Sequence, residues 1–173
     1  MVTIDWKRHG RALVLIDSAN FSKGAETIGK RVNYRNLARY FRRETNLVQI
    51  VVYIADFGTP AHAAFMGALR HIGYQIVSKP VKTVLQSGGS PDQKANFDVE
   101  ITLDAMDWIS DYDTLVLFSG DSDFAALARR LRPKGKQVIV CAFRHTVSRE
   151  LRAAADRYLN IPDLGGGIMD WGS

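Results

Sequence analysis

Five short apolar runs, rich in β-branched residues, recur along the chain and constrain its fold more than any other feature. They are ALVLI (12–16), VQIVVYIA (48–55), YQIVSK (74–79), TLVLFS (114–119) and QVIVCAF (137–143). Each run is nearly continuous rather than alternating between apolar and polar residues, which is typical of a strand buried on both faces. A weaker sixth run, YLNI (158–161), comes just before Pro162. The pattern predicts a parallel sheet with helices on both faces.

The segments between these runs carry apolar residues at helical spacing and predict the covering helices. The predicted helices are 33–44, 60–72, 96–110, 122–132 and about 147–157. Pro60 suits the first turn of a helix, and Gly73 and Gly135 suit helix ends. No internal repeat or linker interrupts this series. The sequence therefore predicts one domain over residues 1–164, a doubly wound, three-layer α/β/α sandwich.

Two segments lack a packing pattern. SGGSPDQ (87–93) brings Gly, Ser and Pro together, which predicts a mobile loop. The residues after Leu164, GGGIMDWGS (165–173), show no apolar periodicity and are predicted to form a flexible tail.

Composition excludes several classes of protein. The 173 residues fit about one domain, and 46% hydrophobic with 24% charged residues exclude wholesale disorder. No apolar run approaches the roughly 18 residues of a membrane span, and no secretory signal is readable. The only cysteine, Cys141, excludes an internal disulfide framework and a thiolate metal site. A cytoplasmic protein is expected, and its net charge of +5 permits a polyanionic partner without proving one.

Acidic and polar residues follow three of the apolar runs. Asp17 follows ALVLI, with Asn20 three residues later, and Asp56 follows VVYIA. The run TLVLF is followed by Ser119, Gly120, Asp121, Ser122 and Asp123. In open α/β sheets, ligands bind beyond the carboxyl ends of the strands, where the strand order reverses. The carboxylates are therefore expected to converge at one edge of the sheet, although about a hundred residues separate them.

Asp98 adds a carboxylate from the predicted helix 96–110. At about 100° per residue, it shares its arc with three apolar residues, Ile101, Ala105 and Ile109. The other acids of this helix fall within one narrow arc that is predicted to be solvated, namely Glu100, Asp104 and Asp107. A carboxylate on an apolar face is costly to bury without a metal or another cation. The alternative is a first-turn acid that is favoured by the helix dipole.

The predicted cluster of acids needs a cation, because neighbouring carboxylates raise each other's pKa and repel one another. Carboxylate and amide oxygens are hard ligands, which favours Mg²⁺ or Mn²⁺ over Zn²⁺. Such a site can activate water and stabilise phosphoryl charge. The residues thus indicate metal-assisted attack on a phosphodiester, with a mildly basic surface that attracts the polyanion.

Each of these residues also has a purely structural interpretation. Asp17 either binds a metal or caps the turn that follows its strand. Asn20 either forms a local turn bond or orients substrate or a metal water. Asp121 or Ser122 would serve as the N-cap of the helix that begins near Asp123. A cap accounts for one of the two acids Asp121 and Asp123 but not for both.

Other residues are weaker candidates. Arg144 and His145 follow the fifth run, which fits either phosphate contacts or a solvated loop. Phe21 is interpreted as a core aromatic rather than a base-stacking residue, and Asp56, followed by Phe57, as a turn residue. Three lysines flank the segment 87–93 and form either a funnel for nucleic acid or a plain charged surface: Lys79, Lys82 and Lys94.

Three long segments together resemble the NYN domain family, the LabA-like branch of the PIN-like nucleases. They are VLIDSANF, KANFDVEITLDAM and VLFSGDSDFAALARRLRPKGKQVIV. The ending SRELRAAADRYLNI is similar to the last helix and strand of that family. The resemblance covers about residues 10 to 164, and SGDSDF at a strand-to-helix turn is its most specific element.

The resemblance implies a PIN-like Rossmannoid sheet and a ribonuclease that uses Mg²⁺ or Mn²⁺ to act on single-stranded or structured RNA. By motif, the metal-binding and catalytic acids would be Asp17, Asp98, Asp121 and Asp123. Asn20 and Ser119 would position the metal water or the substrate. Asp104 also matches the family motif, but the helical wheel turns it away from Asp98. The chain departs from the family at Lys94, which lies four residues before Asp98 where three are expected.

Three functional hypotheses follow. The first is the metal-dependent ribonuclease, and the second is a regulatory module that binds metal or RNA without turnover. The third is a phosphatase of the haloacid dehalogenase type, because GDSD resembles the last acidic motif of that superfamily. That enzyme needs an Asp-x-Asp pair after the first strand, whereas this chain has Asp17-Ser18-Ala19. The stretch 60–72 is a candidate surface for a homodimer.

Overall fold

A computed structural model describes residues 4–85 and 91–171 of the chain. Its central sheet consists of β1 (Arg11–Asp17), β3 (Asn46–Asp56), β4 (Gln75–Pro80), β7 (Thr114–Phe118), β8 (Gln137–Ala142) and β9 (Arg157–Asn160). These six strands are all parallel and lie in the order β4-β3-β1-β7-β8-β9. Each of the five main apolar runs predicted as a strand is one, and so is the weaker sixth. The β7 strand is buried along its whole length, as its continuous apolar sequence predicts.

Helices cover both faces of this sheet. One face carries α1 (Ser18–Thr27), α2 (Tyr34–Glu44) and α3 (Pro60–Ile72). The other face carries α4 (Asp98–Asp107), α5 (Phe124–Leu131) and α6 (Arg149–Ala154). The predicted three-layer α/β/α sandwich is therefore confirmed.

The order of the strands reverses at β1. The chain runs outward from β1 to β3 and β4, then returns to β7 on the other side of β1 and runs outward to β8 and β9. Ile16 of β1 pairs with Phe118 of β7, so the two strands end side by side. A crevice at the carboxyl ends of such a reversal is where open α/β sheets bind ligands.

The boundaries of several helices differ from the predicted ones. The helix predicted over 96–110 begins at Asp98 and ends at Asp107, and the one predicted over 122–132 spans Phe124–Leu131. The last helix ends at Ala154 rather than near 157, because the chain enters β9 at Arg157. The α1 helix was not predicted, because its sequence is polar and buries only the narrow stripe of Ser18, Phe21, Gly24 and Ala25.

Two small antiparallel sheets change the interpretation of the patternless segments. The tail is packed in the structure: β10 (Met169–Trp171) pairs with β2 (Lys30–Val32), and Ile168 is 1% exposed. Because β2 is far from β10 in the sequence, no local sequence pattern predicts this pairing. Within 87–93, β6 (Pro91–Lys94) pairs with β5 (Lys82–Leu85), whereas 87–90 and the final residues 172–173 lie outside the described residues.

Among residues 4–85 and 91–171, no helix is long and apolar enough to cross a membrane.

Candidate metal centre

The ends of two neighbouring strands bring the first polar groups together. Asp17 is the last residue of β1, and Ser119 directly follows β7, which pairs with β1. The hydroxyl of Ser119 donates to Oδ2 of Asp17 at 3.2 Å. The parallel pairing therefore joins side chains that lie 102 residues apart, as the sequence predicts for this edge.

Asp17 serves its helix and faces the site at the same time. Its Oδ1 accepts the N–H of Asn20 at 3.2 Å and caps α1. Burial raises the pKa of Asp17, and the negative charges of Asp98 and Asp121 raise it further. The hydrogen bonds from Asn20 and Ser119 oppose this rise but do not cancel it. The turn interpretation of Asp17 is thus correct, and it leaves the carboxylate beside other acids.

The loop after β7 is held by hydrogen bonds to side chains of the acidic edge. Oδ1 of Asn20 accepts the N–H of Gly120 at 3.0 Å, and the nearly buried Ser119 hydroxyl accepts the N–H of Asp121 at 3.3 Å. Asp121 in turn accepts the N–H of Asp123 through Oδ1 at 3.1 Å. The α5 helix has no side-chain N-cap. The carboxylates of this loop are therefore not used up by capping α5.

Gly120 allows the loop to pack closely against the segment after β8. A Cβ at this position would lie 2.4 Å from the carbonyl oxygen of Thr146, which is part of the backbone and cannot easily give way. The carbonyl of Gly120 also accepts the N–H of Ser148 at 2.9 Å. Only a glycine permits this approach without moving the loop that carries Asp121 and Asp123.

Three carboxylates converge at this edge of the sheet. Asp98, Asp121 and Asp123 each offer an oxygen, and these atoms all lie within 4.8 Å of one another. Asp98 is held by Asn96, whose Nδ2 donates to Oδ2 of Asp98 at 2.8 Å and whose Oδ1 accepts the N–H of Asp98 at 2.7 Å. Partial burial raises the pKa of Asp98, and the charges of Asp121, Asp123 and Glu100 raise it further.

This donor set fits a hard divalent cation. All its atoms are carboxylate oxygens, they lie close enough to share one ion, and their mutual repulsion is relieved when positive charge is bound. An acidic group of this kind matches what the sequence predicts for Mg²⁺ or Mn²⁺.

The acids lie on the wall of a cleft of about 400 Å³, which is also lined by residues that were not predicted for the site. Asp17, Asp98 and Asp121 line it together with Lys23, Phe57 and other residues. Lys23 was missed because the α1 helix was not predicted. Phe57 was interpreted only as part of a turn, and that turn exists, since Oδ1 of Asp56 accepts the N–H of Gly58 at 2.8 Å. Asn96 also lines this cleft, and its place in KANFD two residues before Asp98 was the available signal.

The prediction that Glu100 and Asp104 lie on a solvated face is wrong. The hydroxyl of Tyr53 donates to Asp104 at 2.5 Å, and burial together with this carboxylate raises the pKa of Tyr53. Nζ of Lys79 donates to Glu100 at 2.6 Å, which lowers the pKa of Glu100. The helical wheel gives angles around α4 but not the partners on the sheet below it. Lys79 is therefore engaged by an acid of α4 rather than free to guide a nucleic acid.

The remaining candidates form no direct bond to the acids in the part of the chain that the structure describes. Arg144 and His145 are exposed, and in the described ranges no hydrogen bond or ion pair joins either to the four acids. The backbone N–H of Arg144 donates to Asn160 at 3.1 Å, and the ring of His145 lies 5.6 Å from that of Phe143.

Phe21 is buried against Phe118 and Phe143, as expected of a core residue. Cys141 is likewise fully buried, which raises the pKa of its thiol. The side chains of Lys82 and Lys94 are outside what the structure describes.

The doubly wound sheet and its acidic carboxyl edge define a nuclease-like domain of the PIN-like class. Comparison with known protein families identifies the family within this class. The family model for the NYN domain matches residues 11–162. The chain therefore belongs to the NYN domain family, and the resemblance noted from the sequence is confirmed.

Two relatives agree with this assignment. The chain is 32% identical over 161 residues to "Low amplitude and bright protein LabA" of Synechococcus elongatus, covering 91% of this chain and 87% of that protein. It is also similar to a crystal structure of a protein of unknown function from Vibrio parahaemolyticus, with a TM-score of 0.76 and 27% identity. That match covers 94% of this chain and 98% of the other. The family match and the LabA relative support a nuclease-like or regulatory module.

Proposed function

We propose that this protein is a divalent-metal-dependent ribonuclease that hydrolyses RNA phosphodiester bonds in the acidic cleft. The observation that carries the proposal is the convergence of Asp98, Asp121 and Asp123 within 4.8 Å at a strand-order reversal. Membership of the NYN domain family supports the choice of RNA as substrate. A cluster of partly desolvated acids is costly for the fold, and a metal-binding role explains why the chain carries it.

The cation would be held by Asp98, Asp121 and Asp123, with Asp17 beside them. When bound, Mg²⁺ or Mn²⁺ supplies Lewis-acid activation of water and neutralises phosphate charge. Ser119 holds the Asp17 carboxylate in place, and Asn20 fixes the loop that carries the other acids. The exposed Lys23 lies on the wall of the cleft, where its ammonium would contact a phosphate of the substrate. Arg144 and His145 remain proposed contacts to more distant phosphates.

Substitution of Asp98 tests this proposal. We expect Asp98→Asn to lower Mn²⁺-dependent cleavage of a labelled RNA by more than about 100-fold, because it removes a charged ligand and keeps the side-chain shape. The matched control is Asp107→Asn, a change of the same kind at an exposed position of the same helix. It should cleave like the unchanged protein. Equal activity of both variants, each shown to be folded by circular dichroism, would contradict the proposed metal centre.

A second candidate function is a regulatory module that binds metal or RNA without turnover. It is favoured by one observation: both oxygens of Asp17 already accept hydrogen bonds from the chain, from Asn20 and Ser119. Saturable Mn²⁺ binding without cleavage of single-stranded or structured RNA would select this function over the ribonuclease.

A further inference from the structure

The excess of positive over negative charge in this protein lies on one side of the sheet. The segment 18–44, which contains α1 and α2, and the α3 segment 60–72 together carry eight lysines and arginines but two acidic residues. This is an excess of six positive charges, whereas the whole chain has a net charge of +5. The remainder of the chain is therefore slightly acidic, and the face of α1, α2 and α3 accounts for the basic character of the protein.

Much of this charge lines one groove. Arg35, Arg39 and Arg42 recur at helical spacing along α2 and border a groove of about 550 Å³. Arg43 and His71, the latter at the end of α3, border the same groove. The arginine groove, as these five residues define it, extends over about 10 Å of α2 from Arg35 to Arg42.

Three of the four arginines of this groove form no ion pair with an acid in the part of the chain that the structure describes. In the described ranges, no ion pair includes Arg35, Arg39 or Arg42, and all three are exposed. Arg42 donates to the carbonyl of Ile72 at 2.6 Å, and Arg43 pairs with the adjacent Glu44. Helix-dipole stabilisation explains cations in the last turn of α2 but not Arg35, the second residue of the helix. The groove therefore keeps positive charge available for a partner.

Exposed aromatic rings lie between the acids and this groove. Phe57 is 48% exposed and Phe65 is 39% exposed. Both line a second cleft of about 330 Å³, which shares Ala19, Ala55 and Phe57 with the acidic cleft. The ring of His62 lies between the two phenylalanines, 5.1 Å from Phe57 and 6.2 Å from Phe65. The two clefts therefore adjoin at Phe57.

The clefts follow α3 along its length. His62 and Phe65 lie in the first half of this helix, and His71 and Ile72, which border the arginine groove, lie at its end. A third cleft of about 390 Å³ shares Phe65 with the aromatic one and reaches Tyr34, the residue before Arg35. Acids, aromatic rings and arginines therefore occur in this order along one side of the protein.

We propose that this series is a track for single-stranded RNA that leads from the acidic cleft to the arginine groove. Unpaired bases stack on Phe57 and Phe65, and the phosphates that follow lie against Arg35, Arg39 and Arg42. Rings followed by cations along one face suit a single strand, because every unpaired base offers a face for stacking and every nucleotide offers a charge. The proposal rests on the proposed function, for which it supplies the way the substrate is held.

The phosphate contacts are tested by the salt dependence of binding. In this experiment, the full chain is titrated in metal-free buffer into a fluorescent single-stranded RNA of about 20 nucleotides. Binding is followed by fluorescence anisotropy over a range of salt concentrations. The double variant Arg35→Ala/Arg39→Ala should bind about tenfold more weakly and lower the slope of log K against log salt by about 1.4. The matched control is Arg129→Ala/Arg130→Ala, two exposed arginines of α5 on the other face of the sheet. Equal losses in both variants would overturn the track.

The stacking contacts are tested by Phe57→Ala and Phe65→Ala. Each should weaken binding of the single strand about tenfold without changing the salt slope, and binding of an RNA duplex should stay unchanged. Equal weakening for the strand and the duplex would overturn the stacking role. Light scattering of the free protein supplies a further check, because 60–72 is also a candidate dimer surface. A dimer that Phe65→Ala dissociates would assign this face to a second copy of the chain and overturn the track.

The test separates this proposal from the proposed function. Asp98→Asn should lose cleavage and still bind RNA with the unchanged salt slope. If no RNA is cleaved but the arginine and phenylalanine variants bind more weakly as expected, the ribonuclease proposal fails and the track stands. If cleavage depends on Asp98 but these variants bind like the unchanged protein, the track fails and the ribonuclease stands.

Discussion

The two ends of the β1–β7 strand pair carry carboxylates in opposite electrostatic situations. At the amino end, Asp113 accepts a hydrogen bond from the backbone N–H of Arg11 at 2.8 Å. It also accepts hydrogen bonds from Nε and Nη2 of the Arg11 side chain, each at 3.1 Å. These contacts lower the pKa of Asp113 to about 2. At the carboxyl end, burial and neighbouring acids raise the pKa values of Asp17 and Asp98. The amino end is neutralised within the chain, whereas in the described ranges no ion pair includes any of the four acids at the carboxyl end.

The largest effect that separates the two ends is expected on RNA cleavage. Asp17→Asn removes a carboxylate from the acidic edge and should lower metal-dependent cleavage by more than about 100-fold. Asp113→Asn removes a carboxylate from the other end of the same strand pair and should leave the rate within about twofold. Initial rates with a labelled RNA at saturating Mn²⁺ measure both. A similar loss in the two variants would show that the acidic edge has no special role.

A smaller effect is expected from crowding the SGDSD loop at Gly120, just before its two acids. Gly120→Ala places a Cβ 2.4 Å from the carbonyl oxygen of Thr146, so the loop must move. We expect a loss of about 1–3 kcal/mol in the free energy of unfolding, together with weaker Mn²⁺ binding. Urea unfolding measures the first quantity. Gly67→Ala is the control, since a Cβ there meets nothing within 4 Å. Unchanged stability of Gly120→Ala would contradict the close packing of the loop.

The smallest effect is a difference in the pH dependence of stability without metal. The raised pKa of Asp98 means that its ionised form destabilises the fold, so Asp98→Asn should be at least as stable as the unchanged protein at pH 7. This advantage should vanish as the pH falls through the raised pKa towards the ordinary value of 3.8. Asp113 behaves in the opposite way. Its stabilisation is complete above pH 3.8 and is lost as the pH falls through about 2, so Asp113→Asn should be less stable at pH 7.

Thermal unfolding from pH 7 down to about pH 3 in the presence of a chelator checks both signs. At pH 7, Asp98→Asn should leave the unfolding temperature unchanged or raise it, whereas Asp113→Asn should lower it. Destabilisation of Asp98→Asn as large as that of Asp113→Asn would mean that the acidic edge is neutralised within the chain after all.

The sheet and its acidic edge could be predicted because their signals are local. A continuous apolar run specifies a strand buried on both faces, and the carboxyl ends of parallel strands share one edge. Asp17 and Asp121 could therefore be placed together before the structure was known. The α/β/α class followed from the same pattern.

The features that escaped prediction depend on partners that are distant in sequence. Asp104 was assigned to solvent because a helical wheel does not show the Tyr53 hydroxyl on the sheet. The pairing of the tail with β2 was not predicted, because β2 begins at Lys30, far from the tail in the sequence. Phe57 and Phe65 were not recognised as neighbours of the acidic cleft, because only the folded chain brings α3 and the loop before it beside Ala19 and Ala55.

Calorimetric titration of the metal-free protein with Mn²⁺ at neutral pH tests the central claim most directly, namely that the acidic edge is a metal centre. We expect saturable binding that disappears in Asp98→Asn and persists in Asp113→Asn, since only the first carboxylate belongs to the converging group. Binding of equal affinity in the unchanged protein and in a folded Asp98→Asn, or no binding to the folded unchanged protein, would contradict it.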